Sequence, residues 1–344
     1  MIETFEQFSQ LSLFTALFVY TIAFVLYAID LANRSGGATE AVPARSVAAP
    51  AAPAAAREAR TATGSVAVAT RTSSATGGPA GTGSGQGSPG PRRSKVLRVA
   101  FSLTVLGWLF QLASTVLRGM EAGRVPFTNM YEFALTATTV IVGVFIIVQF
   151  FVDIRFLGSL ITGLTIVFLG LTRVNYYREV VPLPPALDSY WLIIHITVAV
   201  LAVGFLTLGF GLSLAQIAQS RREARALEGR ASGPRFLATF PHADRLENLA
   251  YRVNIIGFIF WSFTLIAGAI WAEHAWGRYW GWDTKEVWTF IIWVLYAGYI
   301  HARATRGWRG SRSSWLSIIA YAAVVFNFVV VNVFFKGLHA YSGL

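Results

Sequence analysis

Eight apolar runs, each near the length needed to cross a bilayer, decide what this chain can fold into. They fall at about 11–30, 97–117, 131–152, 156–172, 191–217, 249–272, 286–303 and 315–335. A hydrocarbon core takes about 20 apolar residues of helix, and within it every backbone N–H and C=O must find its partner inside the protein. The predicted fold class is therefore all-α: a polytopic membrane helix bundle of about eight transmembrane helices. A composition of 55% hydrophobic and 13% charged residues over 344 excludes an ordinary soluble domain.

Positive residues accumulate on the cytoplasmic side of membrane proteins. Threading the chain through eight spans puts 21 of its 28 Lys and Arg on one side and seven on the other. This split predicts that both termini lie outside a cytoplasmic (plasma) membrane. The net charge of +11 is thereby read as a topology signal, and no nucleic-acid partner is expected. The chain has no Cys, which excludes thiol–disulfide exchange as its chemistry. The first run follows an acidic N-terminus and lacks a small-residue cleavage site, so it reads as a retained helix over 1–32 rather than a signal peptide. Residues 33–96 are rich in Ala, Gly, Ser, Thr and Pro and poor in large apolar side chains, as expected of a disordered cytoplasmic linker. Its Arg and Lys residues, Arg92, Arg93 and Lys95 among them, can touch anionic membrane lipid as a partner, or the segment is an inert tether with ordinary inside charge. Residues 97–344 form the remaining membrane domain.

The loop 271–286, WAEHAWGRYWGWDTKE, sets four Trp, a Tyr and a His between two spans. Single Trp at a membrane boundary are routine. A dense band of them suggests a platform for something large, flat and apolar that stays partly open to water. The threading brings two His to the same face: His195 in SYWLIIH at the start of the fifth span, and His339 in FFKGLHAY beyond the eighth. Two imidazoles converging on an aromatic platform suit a bis-His haem site. Each is equally read, taken alone, as a hydrogen-bonded interfacial residue. His301, in YIHAR, falls about 27 Å along the seventh span, at the opposite boundary. His242 reads as a solvated loop residue and His274 as an interfacial one.

Capping accounts for other residues of the loops. Asp283 is placed to N-cap the seventh span, with Glu286 three residues on closing a capping box. A contact of Lys285 or Asp283 with a haem propionate or a partner stays open. In RVPFTNMYEF, Thr128 or Asn129 can cap the third span, and the loop can also wall the outer site.

The segment WGRYWGWDTKEVW resembles the Trp-rich signature of the CcsA/ResC haem-handling proteins of system II cytochrome c biogenesis, called CcsB in some actinobacteria. PFTNMYEF, SYWLIIH, YIHAR and FNFVVVNVFFKGLHAY resemble further family segments in the same order, over about 97–344. The resemblance implies that His195 and His339 ligate haem b iron axially on the outer face. It implies that His301 holds haem on its way across, facing a His from a ResB/Ccs-type membrane subunit. Trp276, Gly277, Tyr279, Trp280, Trp282, Asp283, Lys285 and Glu286 match the signature, which contacts haem. Thr284 departs from the family, which usually has Pro there; Pro presets the first helical φ, so Thr gives a less rigid start to the helix. The implied function is presentation of haem for covalent attachment to the CxxCH segment of apocytochrome c, as a subunit of a cytochrome c synthase complex with little activity alone. Two other classes remain open from the residues: a membrane electron-transfer b-type cytochrome, and a secondary transporter for an amphipathic solute.

Overall fold

The structure, a computed structural model, describes residues 2–37, 95–183, 187–230, 233–305, 307–335 and 337–339. In the described residues eight long helices follow one another: α1 (Ile2–Gly37), α2 (Lys95–Ala122), α3 (Met130–Val148), α4 (Gly158–Tyr176), α5 (Tyr190–Leu227), α6 (Ala243–Trp276), α7 (Thr284–Thr305) and α8 (Ser311–Phe326). A π turn, Asn327–Val331, and a last helical turn, Asn332–Phe334, prolong α8. Among the described residues there is no strand, and the fold is the expected all-α polytopic bundle. Among the described residues seven helices are long and apolar enough to cross a membrane. α7 has the length, at 22 residues, but Trp288, Trp293, Tyr296, Tyr299 and His301 dilute its hydropathy. Residues 38–94, most of the expected linker, lie outside the described residues.

α1 packs along α2 and α5 along α6, while α8 leans on both α5 and α7. Polar side chains tie further neighbours, α6 to α7 and α2 to α3, where no water can compete. The Trp261 indole donates to the Thr289 carbonyl (3.1 Å), the Trp293 indole to Ser262 Oγ (2.9 Å), and Trp108 to the Thr139 carbonyl (2.8 Å). In lipid, where apolar faces gain little from meeting each other, such bonds contribute roughly 0.6–2 kcal/mol apiece. α5 and α6 approach closely at Gly209, where a Cβ would stand 1.9 Å from Asn254 Oδ1. Asn254 in turn donates to Ser317 Oγ of α8 at 2.9 Å, so one small position lets three helices meet.

The even up-and-down order gives the bundle two ends. One gathers the 271–286 loop, the α2–α3 loop and the segment after α8. There Arg118, 1% exposed, pairs with Glu132 (3.2 Å) and Glu121 (3.2 Å) and donates to the Arg178 carbonyl (2.6 Å), while Arg124 also reaches Glu132 (2.9 Å). This buried network clamps the α2–α3 loop. At the opposite end, Arg303 Nε joins Glu247 (3.0 Å), which also accepts the Gly310 amide (2.8 Å), fastening the end of α7 to the start of α6 and of α8.

Candidate functional site

At the Trp-rich end, α6 stops because Gly277 turns left-handed (φ 69°) and returns its N–H to the Glu273 carbonyl at 2.7 Å. Glycine enters that region without a Cβ penalty. The loop then crosses to α7, whose start is fixed from two sides. The Glu286 carboxylate accepts the Gly281 and Asp283 amides (2.8 and 3.0 Å), and the Asp283 carboxylate accepts the Lys285 amide. This is the capping box expected from the spacing, made with Thr284 at the first helical position. Asn129, rather than Thr128, caps α3 by accepting the Glu132 amide at 2.9 Å.

The two expected His meet around an indole, Trp271, that no local pattern had singled out. His195 stacks on Trp271 with ring centroids 5.9 Å apart, and His339 meets the same Trp271 edge-on at 5.5 Å. Trp276 closes behind His339 at 4.8 Å and meets Trp271 at 4.8 Å. Each imidazole is held by its Nδ1. That of His195 lies 3.0 Å from the Thr264 carbonyl, which can only accept, so Nδ1 carries the hydrogen. That of His339 lies 2.8 Å from Asp283 Oδ2. Nε2 is thereby left as the lone-pair nitrogen, the arrangement a metal-binding imidazole needs. The bond from His339, then the Lys285 and Leu338 amides, hold the Asp283 carboxyl below the usual carboxylate range against the opposing effect of burial. At Gly268 a Cβ would stand 2.7 Å from His195 Cε1, so the glycine makes room for the ring.

Both rings line two adjoining cavities. One, with about 600 Å³ of empty space, is walled by Trp271 and by Phe127, Asn129 and Phe133 of the α2–α3 loop region. The other, about 480 Å³, is walled by Tyr279 and Trp280. His195 also opens on a larger apolar chamber of about 980 Å³ between α3, α5, α6, α7 and α8. Lys285 lines all three, its ammonium bonded to Asn332 Oδ1. The π turn sets the register of this last stretch of α8. A single extra residue in a helical turn is a common mark of a site under functional demand.

The remaining predicted residues are less central. Trp282 meets Trp280 edge-on at 5.9 Å but stands 76% exposed, with φ at 60°. A bulky residue held left-handed costs about 1–3 kcal/mol and persists only where its surroundings impose it. His301 is exposed near the far end of α7, sixteen residues beyond Lys285 and away from the other two His. His274 bonds the Ile270 carbonyl (2.9 Å) at the interface, and His242 is a 93% exposed side chain beside Glu223. Two imidazoles fixed through Nδ1, facing shared space and backed by indoles, fit the axial ligation of a flat metallated macrocycle.

The pattern that describes the family "Cytochrome C assembly protein" matches residues 96–339. The chain belongs to that family. Among the relatives of this cytochrome c assembly protein is the "Cytochrome c biogenesis protein CcsA" of Synechococcus elongatus, 32% identical over 264 residues, which are 65% of this chain and 81% of the relative. The CcsA of Prochlorococcus marinus is 30% identical over 270 residues (72% and 84%), and that of Guillardia theta 29% over 263 (72% and 87%). Among solved structures, "Cytochrome c Heme Lyase CcmF" superposes with a TM-score of 0.59 over 94% of this chain and 46% of its own, at 13% identity. That likeness concerns the fold, and this chain spans less than half of the CcmF structure.

Proposed function

We propose that this cytochrome c assembly protein holds haem b between His195 and His339 on the outer face of the plasma membrane and presents it to the CxxCH segment of apocytochrome c. The observation that carries the reading is the pair of imidazoles, drawn from α5 and from beyond α8, that share Trp271 and are each tied back through Nδ1. Haem supplies the reactive vinyl groups; the protein positions, desolvates and protects. Trp271 and Trp276 back the ligands, Tyr279 and Trp280 offer apolar faces, and exposed Trp282 lies where an incoming peptide would pass. Gly277 turns the chain from α6 into this wall. Asp283 acts as a positioning residue, holding His339 in the tautomer that leaves Nε2 to bind. Lys285 carries the only kind of charge that suits a propionate, and no carboxylate among the described residues lies within ion-pair distance of its ammonium.

On this reading both termini lie outside, and haem arrives from the cytoplasmic side with His301 and a ResB/Ccs-type subunit as its inner station. The chain then forms part of a cytochrome c synthase complex. The test is the absorption spectrum of the purified complex. Wild type should carry a six-coordinate haem Soret band; His195→Ala and His339→Ala should each lose the bis-His form and cytochrome c maturation, with both partly restored by imidazole. Normal maturation in either variant would remove the axial assignment. A haem that cycles redox state and never leaves would instead favour the electron-transfer cytochrome.

A further inference from the structure

The opposite end of the bundle holds a second built feature, unconnected with the His pair. A groove with about 910 Å³ of empty space opens between the turn after α3 and the first turns of α6, lined by Phe151, Asp153, Arg245, Asn248, Leu249 and Arg252. Among the described residues the Arg245 and Arg252 guanidiniums have no ion-pair or hydrogen-bond partner, and both side chains are exposed. The one carboxylate in the groove, Asp153, faces Arg155 at 3.6 Å and so offers them no net charge. Asn248 accepts from Arg303 through Oδ1 at 2.7 Å, which leaves its amide hydrogens free to donate into the groove.

Beside these cations the surface turns abruptly apolar. Phe150 and Phe151 project 80% and 82% exposed from the turn. On α6 the series Arg245, Leu249, Arg252, Ile256, Ile259, Phe263 and Ile266 recurs every three or four residues, so it runs down one face. Its members from Ile256 onward are exposed large hydrophobics. Arg252 lies twenty residues before Ala272, about 30 Å along the helix, so it sits one hydrocarbon thickness below the Trp-rich end.

We propose that this groove binds an anionic membrane phospholipid, with the headgroup phosphate between Arg245 and Arg252 and the acyl chains lying along the Ile256–Ile259–Phe263 face beside Phe150 and Phe151. A free phosphate satisfies the cations but leaves the adjoining apolar stripe without a partner; a neutral lipid does the reverse. Only a molecule with an anion at one end and hydrocarbon at the other meets both, and basic pockets between helices at a membrane surface select such headgroups. The proposal stands whether or not the haem reading holds, because it shares no residue with that site.

The test uses the full chain reconstituted in phosphatidylcholine vesicles carrying a trace of spin-labelled phosphatidylglycerol or spin-labelled phosphatidylcholine. The motionally restricted fraction should favour phosphatidylglycerol in wild type by roughly tenfold and lose that preference in the Arg245→Gln/Arg252→Gln pair. Arg245→Lys/Arg252→Lys should keep most of it, and the preference should weaken as salt rises. Equal retention of the two lipids by wild type, or an unchanged preference in the Gln pair, would overturn the site. Complete displacement by inorganic phosphate or glycerophosphate would also overturn it, since the acyl chains would then contribute nothing.

Discussion

Asp283 accepts hydrogen bonds from the Lys285 and Leu338 amides and from the His339 ring, so one carboxylate starts a helix and orients a ligand. Its pKa is lowered in the folded state. The stabilisation is therefore complete above the ordinary aspartate value of about 3.9 and is lost as pH falls below it. Asp283→Asn is expected to lower the thermal midpoint by roughly 3 °C at pH 7. The gap from wild type should close only in acid below that value, as followed by circular dichroism. A second residue-scale prediction concerns Gly268, where alanine would press on His195 at 2.7 Å. Gly268→Ala should diminish the Soret band while leaving helical content unchanged. The caps were legible beforehand as residue types at fixed spacing, and the meeting of His195 with His339 as two residues that the topology sends to one face. The Thr264 carbonyl that holds His195 was not, since a backbone acceptor exposed by a helix leaves no mark in the side-chain sequence. Trp271 was visible as part of the aromatic band, but nothing local distinguished the indole both rings touch from Trp282, which points to solvent.

At the scale of helices, hydropathy runs located all eight; most boundaries moved outward, while α3 stops at Val148, α4 starts at Gly158 and α8 gives way to a π turn after Phe326. α5 continues to Leu227 and α6 begins at Ala243 because their amphipathic ends leave the apolar window yet stay helical. What periodicity could not supply was the pairing of faces, above all the α5–α6–α8 meeting at Gly209, Asn254 and Ser317. Gly209→Ala drives a methyl into Asn254 Oδ1 and is expected to cost about 1–3 kcal/mol, seen as a lower thermal midpoint. Adding Asn254→Ala should return part of that loss, because the two positions share one contact. The π turn was equally silent in the sequence, although Lys285 finds Asn332 only through the register it imposes.

For the whole molecule, the division of charge between the two ends is a claim about which compartment each faces. The chain contains no Cys, so single cysteines can be introduced without background. Tyr279→Cys, at a residue 62% exposed, should react with a membrane-impermeant maleimide added outside intact cells. Leu227→Cys, at a residue 91% exposed at the other end of the bundle, should react only after the membrane is opened. The reverse pattern would turn the bundle over and place the Trp-rich loop in the cytoplasm.

The two rings on Trp271 belong to segments separated by α6, α7 and all of α8. A polypeptide emerging N-terminus first therefore carries His195 without His339 throughout the insertion of three more helices, and gains it after the last of them. Under the proposed ligation, half-synthesised copies lack the pair that would grip the iron from both sides, which would keep a reactive pigment off chains that translation has yet to finish.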